Sequence, residues 1–378
     1  MLLLHAYGAH ILQFFFAQRN AAKTQEIATA HGWPYIVCDA AGLLKAMSEN
    51  DACTNIGAVL NCAGPFVETF EHVSAACMAV GAHYTDVTGE VEVFQAAAEK
   101  HQEAQQAGVV LMPGVGFDIV ATDCVAAQLI KDLPSATHLS LAFTSRGGGG
   151  SSKGTATTLV KALSSGAGAL VREEGQLNTY PIAEWGQGVD FGDPRTAERG
   201  STGACNKQQD VVLTRWGDAV TAYYTTGIKN VEVFFRLPSP VCHVAWALTS
   251  PYGACLRALP IERALTALIV PEDGPSAKQQ SEGRMLVWGE ARDVSSGKRV
   301  RRRLHITAGY AFTALSSILA VEWLMFRLPR RQQGAGARTR KGFMTPGSAF
   351  GPGFAEKCDE SAIMFQAERS TQTPRPQK

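Results

Sequence analysis

Short apolar runs alternate with amphipathic segments along the first third of the chain, and this pattern predicts alternating strands and helices. The predicted strands are Ile11–Ala17, Tyr35–Cys38, Ile56–Cys62, His83–Val87 and Val109–Met112, with one more in the apolar residues before Gly8. The predicted helices are Ala21–His31, Leu43–Glu49, Val67–Val80, Val91–Ala107 and Ile119–Lys131. This alternation indicates a doubly wound, parallel α/β sheet.

The pattern changes after Pro134, where period-two segments such as AVTAYYTTG and NVEVFFRLP predict a largely antiparallel sheet. We therefore predict a first domain over 1–134, an α+β domain over 135–305 and a helix over 306–328 that packs back on the first domain. A basic linker and tail is predicted over 329–378, because residues 327–341 carry six basic and no acidic side chains. Residues 368–378 have a composition typical of disorder.

The apolar segment Ala308–Leu328 is long enough to span a membrane. Glu322 and Arg327 lie inside it, together with polar residues such as Ser316, so a buried amphipathic helix is the favoured interpretation. A spanning or surface-lying helix stays open as the alternative. The expected location is therefore cytoplasmic, with membrane association as the alternative.

Composition narrows the function classes. The 35 basic and 34 acidic side chains give a net charge of +1, which argues against a nucleic-acid partner. The nine cysteines and nine histidines show no metal-ligand spacing, and the cysteines are typical of reduced intracellular thiols. The apolar N-terminal residues lack the basic segment and the cleavage site of a signal peptide.

Three consecutive predicted strands end in glycine and polar residues, at the edge where α/β sheets bind ligands. The first end, VLNCAGPF, carries Asn61, Gly64, Pro65 and Phe66; the second, HYTDVTGE, carries Tyr84, Asp86 and Glu90; the third, MPGVGFD, carries Gly114, Gly116, Phe117 and Asp118. Together they predict a ligand crevice, although each carboxylate alone is equally compatible with a cap or a turn. Asn61, Asp86 and Asp118 are predicted to converge on one cleft that Lys153 and Thr155 help to wall.

These strand ends also carry a resemblance. VLNCAGPF, GAHYTDVTGEVEVF, AGVVLMPGVGFDIVATDCVAAQL, WGDAVTAYYTTGIKNVEV and LVWGEARD occur in the order typical of saccharopine dehydrogenase-like oxidoreductases, including the trans-acting enoyl reductase branch. The resemblance runs from about Arg19 to Phe354. It implies a Rossmann-like domain that binds NADP or NAD, an inserted α+β domain and a C-terminal helix that returns to the first domain.

The resemblance also assigns roles to residues. Asn61, Gly64, Pro65 and Phe66 would line the nicotinamide half of the site, and Gly114, Gly116 and Phe117 would close its floor. Tyr84, Asp86, Glu90 or Asp118 would position or protonate the substrate, a small or lipid-linked carbonyl, imine or enoyl compound. Arg19 would face the adenosine ribose and favour NADP, or be a solvated arginine, and a homodimer stays open.

The first crossover departs from the family pattern. Gly8 is all that is left of the glycine-rich turn, and only HILQFFFAQ lies between Ala9 and Arg19. A parallel crossover needs about a dozen residues or more, so this one is deleted, by loss, by splicing or by a mis-assigned exon. The main function predicted is an NAD(P)-dependent oxidoreductase. The alternative is a non-catalytic, membrane-associated binding scaffold that has lost the nucleotide.

Two other nucleotide-binding patterns fit less well. None of the eight tyrosines has a lysine four residues on, which disfavours a short-chain dehydrogenase. GGGGSSKGT, residues 147–155, departs from a phosphate-binding P-loop at Ser152 and Gly154. It is interpreted as a flexible loop that opens a helix.

Overall fold

A computed structural model describes residues 2–7, 11–49, 56–147, 153–192, 208–237, 239–257, 261–269, 276–328, 341–365 and 368–371. Its strands are β1 (Leu2–Tyr7), β2 (Ile11–Gln18), β3 (Tyr35–Val37), β4 (Ala58–Asn61), β5 (His83–Asp86), β6 (Val110–Met112), β7 (His138–Arg146), β8 (Ala169–Glu173), β9 (Gln176–Tyr180), β10 (Gly186–Val189), β11 (Gln209–Leu213), β12 (Asn230–Phe235), β13 (Arg284–Arg292), β14 (Lys298–Thr307), β15 (Gly342–Phe343), β16 (Ile363–Met364) and β17 (Glu368–Thr371).

Its α-helices are α1 (Ala21–His31), α2 (Leu43–Glu49), α3 (Phe66–Val80), α4 (Val91–Glu99), α5 (His101–Gln106), α6 (Phe117–Asp132), α7 (Lys153–Ser165), α8 (Asp218–Thr226), α9 (Ser239–Thr249), α10 (Ala254–Arg257), α11 (Ile261–Ile269), α12 (Ala277–Glu282), α13 (Gly309–Glu322), α14 (Pro346–Phe350) and α15 (Phe354–Cys358). A 3-10 turn precedes α10, and a π-helical turn, Trp323–Arg327, continues α13.

The chain divides into two compact units. The first contains Met1–Asp118 and Thr313–Pro346, and the second contains Ile119–Phe312 and Gly347–Lys378. The chain passes between them within α6 and within α13. The predicted domain limits, after residues 134, 305 and 328, stay predictions.

The first unit is built on a sheet with seven described strands in the order β15-β6-β5-β4-β1-β2-β3. Strands β4, β5, β6 and β15 are mutually parallel, and β2 is parallel to β3. Helices α3 and α4 cover β4–β6 through Phe70, Val73 and Val93, which pack in one core with Val59 and Leu111. The predicted α/β fold class is confirmed.

The prediction of a fully parallel sheet is wrong at β1. This strand is antiparallel to both neighbours, with Leu2 opposite Leu60 of β4 and Tyr7 opposite Ile11 of β2. Three residues separate β1 from β2 in the chain, enough for a hairpin and too few for a crossover helix. The shortened connection therefore reverses β1 within the sheet.

The apolar helix continues into the first unit. Among the described residues, Gly309–Arg327 is long and apolar enough to cross a membrane, on grounds of length and composition alone. Thr313 accepts a hydrogen bond from the Phe117 amide, and Ser316 donates one to the Val115 carbonyl. These hydrogen bonds pair the polar side chains of the helix with backbone groups of the first unit, as expected of a core helix.

The prediction of a linker and tail over 329–378 is wrong for residues 341–365 and 368–371. Strand β15 extends the first sheet, and the Gly342 amide donates to the Val109 carbonyl at 2.8 Å. Phe343 and Phe354 are buried, and β17 pairs with β14. The apolar residues after the basic run find partners far away in the sequence, which local composition does not reveal. Residues 329–340 lie outside the described part.

The second unit contains a mixed sheet with a main path β10-β11-β12-β7-β13-β14-β16. Strands β12 and β7 are parallel, whereas β7, β13 and β14 are antiparallel neighbours. One face packs on α6, where Gly289 leaves room for Val125 and Leu129. Part of the opposite face forms a core with α7, α9 and α11 around Phe234 and Trp288.

Candidate active site at the carboxyl edge of the first sheet

Strands β4, β5 and β6 run in parallel, so the residues that follow them meet at one edge of the sheet. Asn61 closes β4 and Asp86 closes β5, and both side chains are fully buried. The loop after β6 brings in Gly114. Three of the sequence-predicted positions are therefore in direct or relayed contact.

The Asp86 carboxylate is the centre of this edge. It accepts hydrogen bonds from the Tyr84 hydroxyl at 2.6 Å, the Thr88 amide at 3.0 Å and the Gly114 amide at 2.8 Å. Burial raises the pKa of Asp86 to about 6, while these three donors oppose the rise. Asp86 thus ties the loop after β5 to the loop after β6.

Asn61 extends the network toward β4. Its amide nitrogen donates to the Thr69 hydroxyl at 3.0 Å and to the Tyr84 hydroxyl at 3.4 Å, and its oxygen accepts from the Ala63 amide at 3.0 Å. Burial raises the pKa of Tyr84 well above its usual range, and the neighbouring Asp86 adds to the effect. Tyr84 and Asp86 are both 0% exposed, so they hold loops in place and do not present atoms at the surface.

Glu90 has a role that sequence reasoning missed. Its two carboxylate oxygens accept from the amides of Phe66 at 3.2 Å and Val67 at 2.8 Å, the first two residues of α3. Pro65, after a cis Gly64–Pro65 bond, precedes this helix without a side-chain cap of its own. A protein carboxylate therefore occupies the α3 N-terminus, a position that would otherwise suit an anionic ligand. The sequence signal was weak because cap and helix are 23 to 24 residues apart.

The glycines and the aromatic residue after β6 have structural tasks. Gly114 adopts a φ of 75°, which favours glycine, and places its amide on Asp86. A Cβ on Gly116 would lie 3.0 Å from the Thr313 methyl group, so only glycine fits against α13 without a shift. Phe117 is buried, and its amide donates to Thr313.

Asp118 differs from the fully buried Asp86 because it is only partly buried. It lies in the first turn of α6, beside Gly89, where an added Cβ would contact the Asp118 Cβ at 3.3 Å. Burial raises its pKa to about 7. A carboxyl group with this pKa can hold or release a proton near neutral pH. The side chains of Lys153 and Thr155 lie outside the described part.

Among the described residues, no helix begins after β1 at the carboxyl edge, where a Rossmann-like fold holds a dinucleotide. Strand β1 runs from the level of Leu60 past Ala58, so Tyr7 lies toward the amino edge, away from Asn61. Gly8 lies outside the described residues. Strand β2 runs parallel to β4, and the exposed Arg19 therefore does lie at the carboxyl edge, before α1. A pyrophosphate needs backbone amides at a helix N-terminus after the first strand, and the hairpin provides none there, so these residues do not fit NAD(P) at its pyrophosphate.

The comparisons with known proteins agree with this fold. The chain is 23% identical over 371 residues to the trans-acting enoyl reductase of Mycobacterium ulcerans (strain Agy99), covering 90% of this chain and 86% of the relative. It is 33% identical over 72 residues to a mitochondrial saccharopine dehydrogenase-like oxidoreductase of Arabidopsis thaliana, covering 19% of this chain and 16% of that protein. No protein-family model matches.

Among solved structures, the saccharopine dehydrogenase (L-Glu forming) of Saccharomyces cerevisiae is similar, with a TM-score of 0.53, 10% identity and 94% coverage of each chain. At this identity the likeness concerns the fold alone. The class that the fold defines is the Rossmann-like α/β proteins. Within it, the predicted resemblance to the saccharopine dehydrogenase-like oxidoreductases is confirmed at moderate identity.

Proposed function

We propose that the chain is by descent an NAD(P)-dependent oxidoreductase of the saccharopine dehydrogenase-like group, acting on a carbonyl, imine or enoyl group of a small or lipid-linked substrate, whose shortened first crossover no longer fits the pyrophosphate of the cofactor. The observation that carries this proposal is the arrangement after β4, β5 and β6. A buried network holds three loops together, and Asp118 stands beside it with a pKa of about 7. The names of the two curated relatives support the same class of reaction.

Within this proposal, the carboxylates have different tasks. Asp118 is the proton donor, because it is partly exposed and is protonated in a large fraction of molecules at neutral pH. The other three polar residues, Asp86, Tyr84 and Asn61, are positioning residues. Their polar atoms form hydrogen bonds with one another and with backbone amides. Glu90 stabilises the start of α3.

The hairpin of β1 and β2 favours a second candidate, a binding protein of the same fold without catalysis. Loss of the pyrophosphate-binding amides removes much of the binding energy of a dinucleotide. We expect this chain to bind NADPH more weakly than ~1 mM. The substrate, the choice between NADP and NAD, a cytoplasmic location and a homodimer all stay proposals.

Calorimetric titration of the full chain with NADPH, and separately with NADH, tests the nucleotide part. No saturation below ~1 mM is expected, and a micromolar dissociation constant would contradict the hairpin argument. Transcript sequencing across the codons for Ala9 to Arg19 then separates the two candidates. An additional exon with a glycine-rich turn favours the enzyme, and a confirmed junction favours the binding protein.

A gain-of-function variant sharpens this test. A glycine-rich turn and a helix inserted between Tyr7 and Ile11 would restore a parallel first strand. NADPH affinity should then rise at least about tenfold over the unaltered chain. D118N in this background should lower turnover without weakening NADPH binding. If the inserted chain binds NADPH but D118N leaves turnover and its pH profile unchanged, Asp118 is not the proton donor.

A further inference from the structure

The second unit contains a cavity that the proposed reaction does not use. It has a volume of about 350 Å³ and lies on the face of β12, β13 and β14 opposite α6, closed on one side by β10. This volume is at the lower end of the range for small-molecule sites, roughly 300–1,000 Å³. All of its described lining residues belong to the second unit.

Four arginines line this cavity, because β13 and β14 place alternate residues on the same face. They are Arg292, Arg299, Arg301 and Arg303. The lining also contains three carboxylates, those of Asp190, Glu232 and Glu290. The lining itself carries four positive and three negative side chains, and Glu368, which pairs with Arg303 from outside the lining, balances the fourth arginine.

Two of the arginines are already paired. Arg301 Nε donates to Glu290 at 2.7 Å, and Arg303 contacts Asp190 at 3.0 Å and also pairs with Glu368. The Glu290 side chain is only 7% exposed, so its carboxylate is buried in the wall of the cavity against Arg301. These pairs form the fixed wall of the cavity.

Arg292 and Arg299 are not satisfied in this way. Their nearest carboxylate contacts are 3.6 Å and 3.9 Å to Glu290 and 3.9 Å to Glu232, longer than hydrogen bonds. The Arg292 Nε is buried and has no hydrogen-bond partner among the described residues. The side chains are 32% and 30% exposed, so a ligand can reach them.

The strand register sets these two arginines against each other. Arg292 and Arg299 are direct partners on the β13–β14 ladder, as are Glu290 and Arg301. Like charges directly opposite each other destabilise a sheet, whereas the neighbouring opposite charges stabilise it. Glu290 Oε1 lies 3.6 Å from Arg292 Nε and 3.9 Å from Arg299 and offsets part of this repulsion, and an anion at the exposed parts of the two side chains would offset the rest.

The rest of the lining suits an organic ligand. Trp185 and Trp288 provide indole surface, and Gln187 has an amide nitrogen that is buried without a partner among the described residues. Trp185 donates to Glu232 at 3.2 Å, which holds that carboxylate against the wall. A donor and aromatic surface beside two arginines are typical of sites for small oxyanions.

We propose that this cavity binds a small molecule with a multiply charged phosphate or carboxylate group. Arg292 and Arg299 hold the anionic group, and the indole rings of Trp185 and Trp288 contact the remainder. The proposal does not depend on nucleotide binding in the first unit. It assigns the sequence KRVRRRLH, residues 298–305, to ligand binding as well as to strand formation.

Titration calorimetry on the full chain with inorganic pyrophosphate and with citrate, at constant ionic strength, tests the site. The two probes distinguish a phosphate ligand from a carboxylate ligand, and saturable 1:1 binding of either is expected. R292Q and R299Q should each weaken it at least about tenfold. R299K, which keeps the charge and loses the planar fork, should lie between R299Q and the unaltered chain.

R263Q is the matched control, since Arg263 is exposed on α11 and lies outside the cavity lining. It should leave binding unchanged. Thermal unfolding without any anion adds an independent measurement. R299Q removes both a charge opposed to Arg292 and the 3.9 Å contact with Glu290, so its melting temperature without an anion should lie close to that of the unaltered chain. The proposal is overturned if neither probe binds, or if R292Q and R299Q bind as the unaltered chain does.

Discussion

The two halves of the first sheet connect consecutive strands in different ways. Strands β4, β5 and β6 are joined by helices, run in parallel and end in a hydrogen-bonded network at one edge. Strands β1 and β2 are joined by three residues and form an antiparallel hairpin. The sheet keeps its strand order around β1, yet the end of β1 leaves the edge at which Asn61 and Asp86 lie.

This difference shows that strand order and binding edge are separable properties of a sheet. A reversed β1 still satisfies the backbone of β2 and β4, because antiparallel ladders also pair every strand. Ligand binding at a Rossmann-like edge additionally requires that the first strand end there and a helix begin there. The hairpin meets the pairing requirement of the sheet, but it brings neither the end of the first strand nor a following helix to that edge.

Substitution of Asp86 should produce the largest effect on the intact half. D86A leaves the Tyr84 hydroxyl and the Thr88 and Gly114 amides without their acceptor. We expect the free energy of unfolding to fall by about 3–5 kcal/mol, as measured by urea denaturation. D86N keeps the shape and one acceptor oxygen and should cost less.

E68A is a matched control for D86A, because Glu68 is exposed on α3. Its effect should stay within about 0.5 kcal/mol. If D86A is no more destabilising than E68A, the carboxyl edge is not held together by this network. The comparison between the two halves of the sheet would then lose its physical basis.

Asp118 should give stability a specific pH dependence. Its folded pKa, about 7, exceeds the usual value of 3.8. The folded state therefore binds more protons between these pH values, and the stability contributed by Asp118 is lost as pH rises through 7. D118N removes this loss. Relative to the unaltered chain, it should gain about 2 kcal/mol between pH 5 and pH 8, after a discount for partial exposure.

The unaltered chain measured over the same range is the reference, since other groups titrate there too. Burial lowers the pKa of His83 to about 4. Its contribution to stability therefore rises with pH up to about 6.5, opposite to the contribution of Asp118. Burial raises the pKa of Asp86 to about 6, so its contribution to stability falls as pH rises, like that of Asp118. Both are present in each protein, so the difference isolates Asp118. A constant difference across pH 5 to 8 would contradict the raised pKa.

The smallest predicted effects compare two helix N-termini. Asn20 caps α1 locally, accepting from the Lys23 amide at 3.1 Å in an exposed position. Glu90 caps α3 from a distant loop through two bonds. N20A should cost about 0.5–1 kcal/mol and E90A about 1–2 kcal/mol in urea denaturation. Equal costs would mean that Glu90 does not couple its loop to α3.

Sequence reasoning was most successful where a structure is local. The strands β4, β5 and β6 were predicted to within two residues at every end, because short apolar runs between helical segments define them. Gly114 follows from turn chemistry, since its φ is positive. The parallel order of these strands made the meeting of Asn61 and Asp86 predictable. The burial of their side chains was not, because it depends on loops that are distant in sequence.

The chain by itself thus determined the α/β class, the residues at three strand ends and the shortage of residues before β2. Tertiary structure alone decided the reversal of β1, the capping of α3 by Glu90 and the opposition of Arg292 to Arg299. It also decided that residues 341–365 fold instead of forming a tail. Local patterns follow from the period of a strand or a helix, whereas these features follow from pairings between residues far apart in the chain.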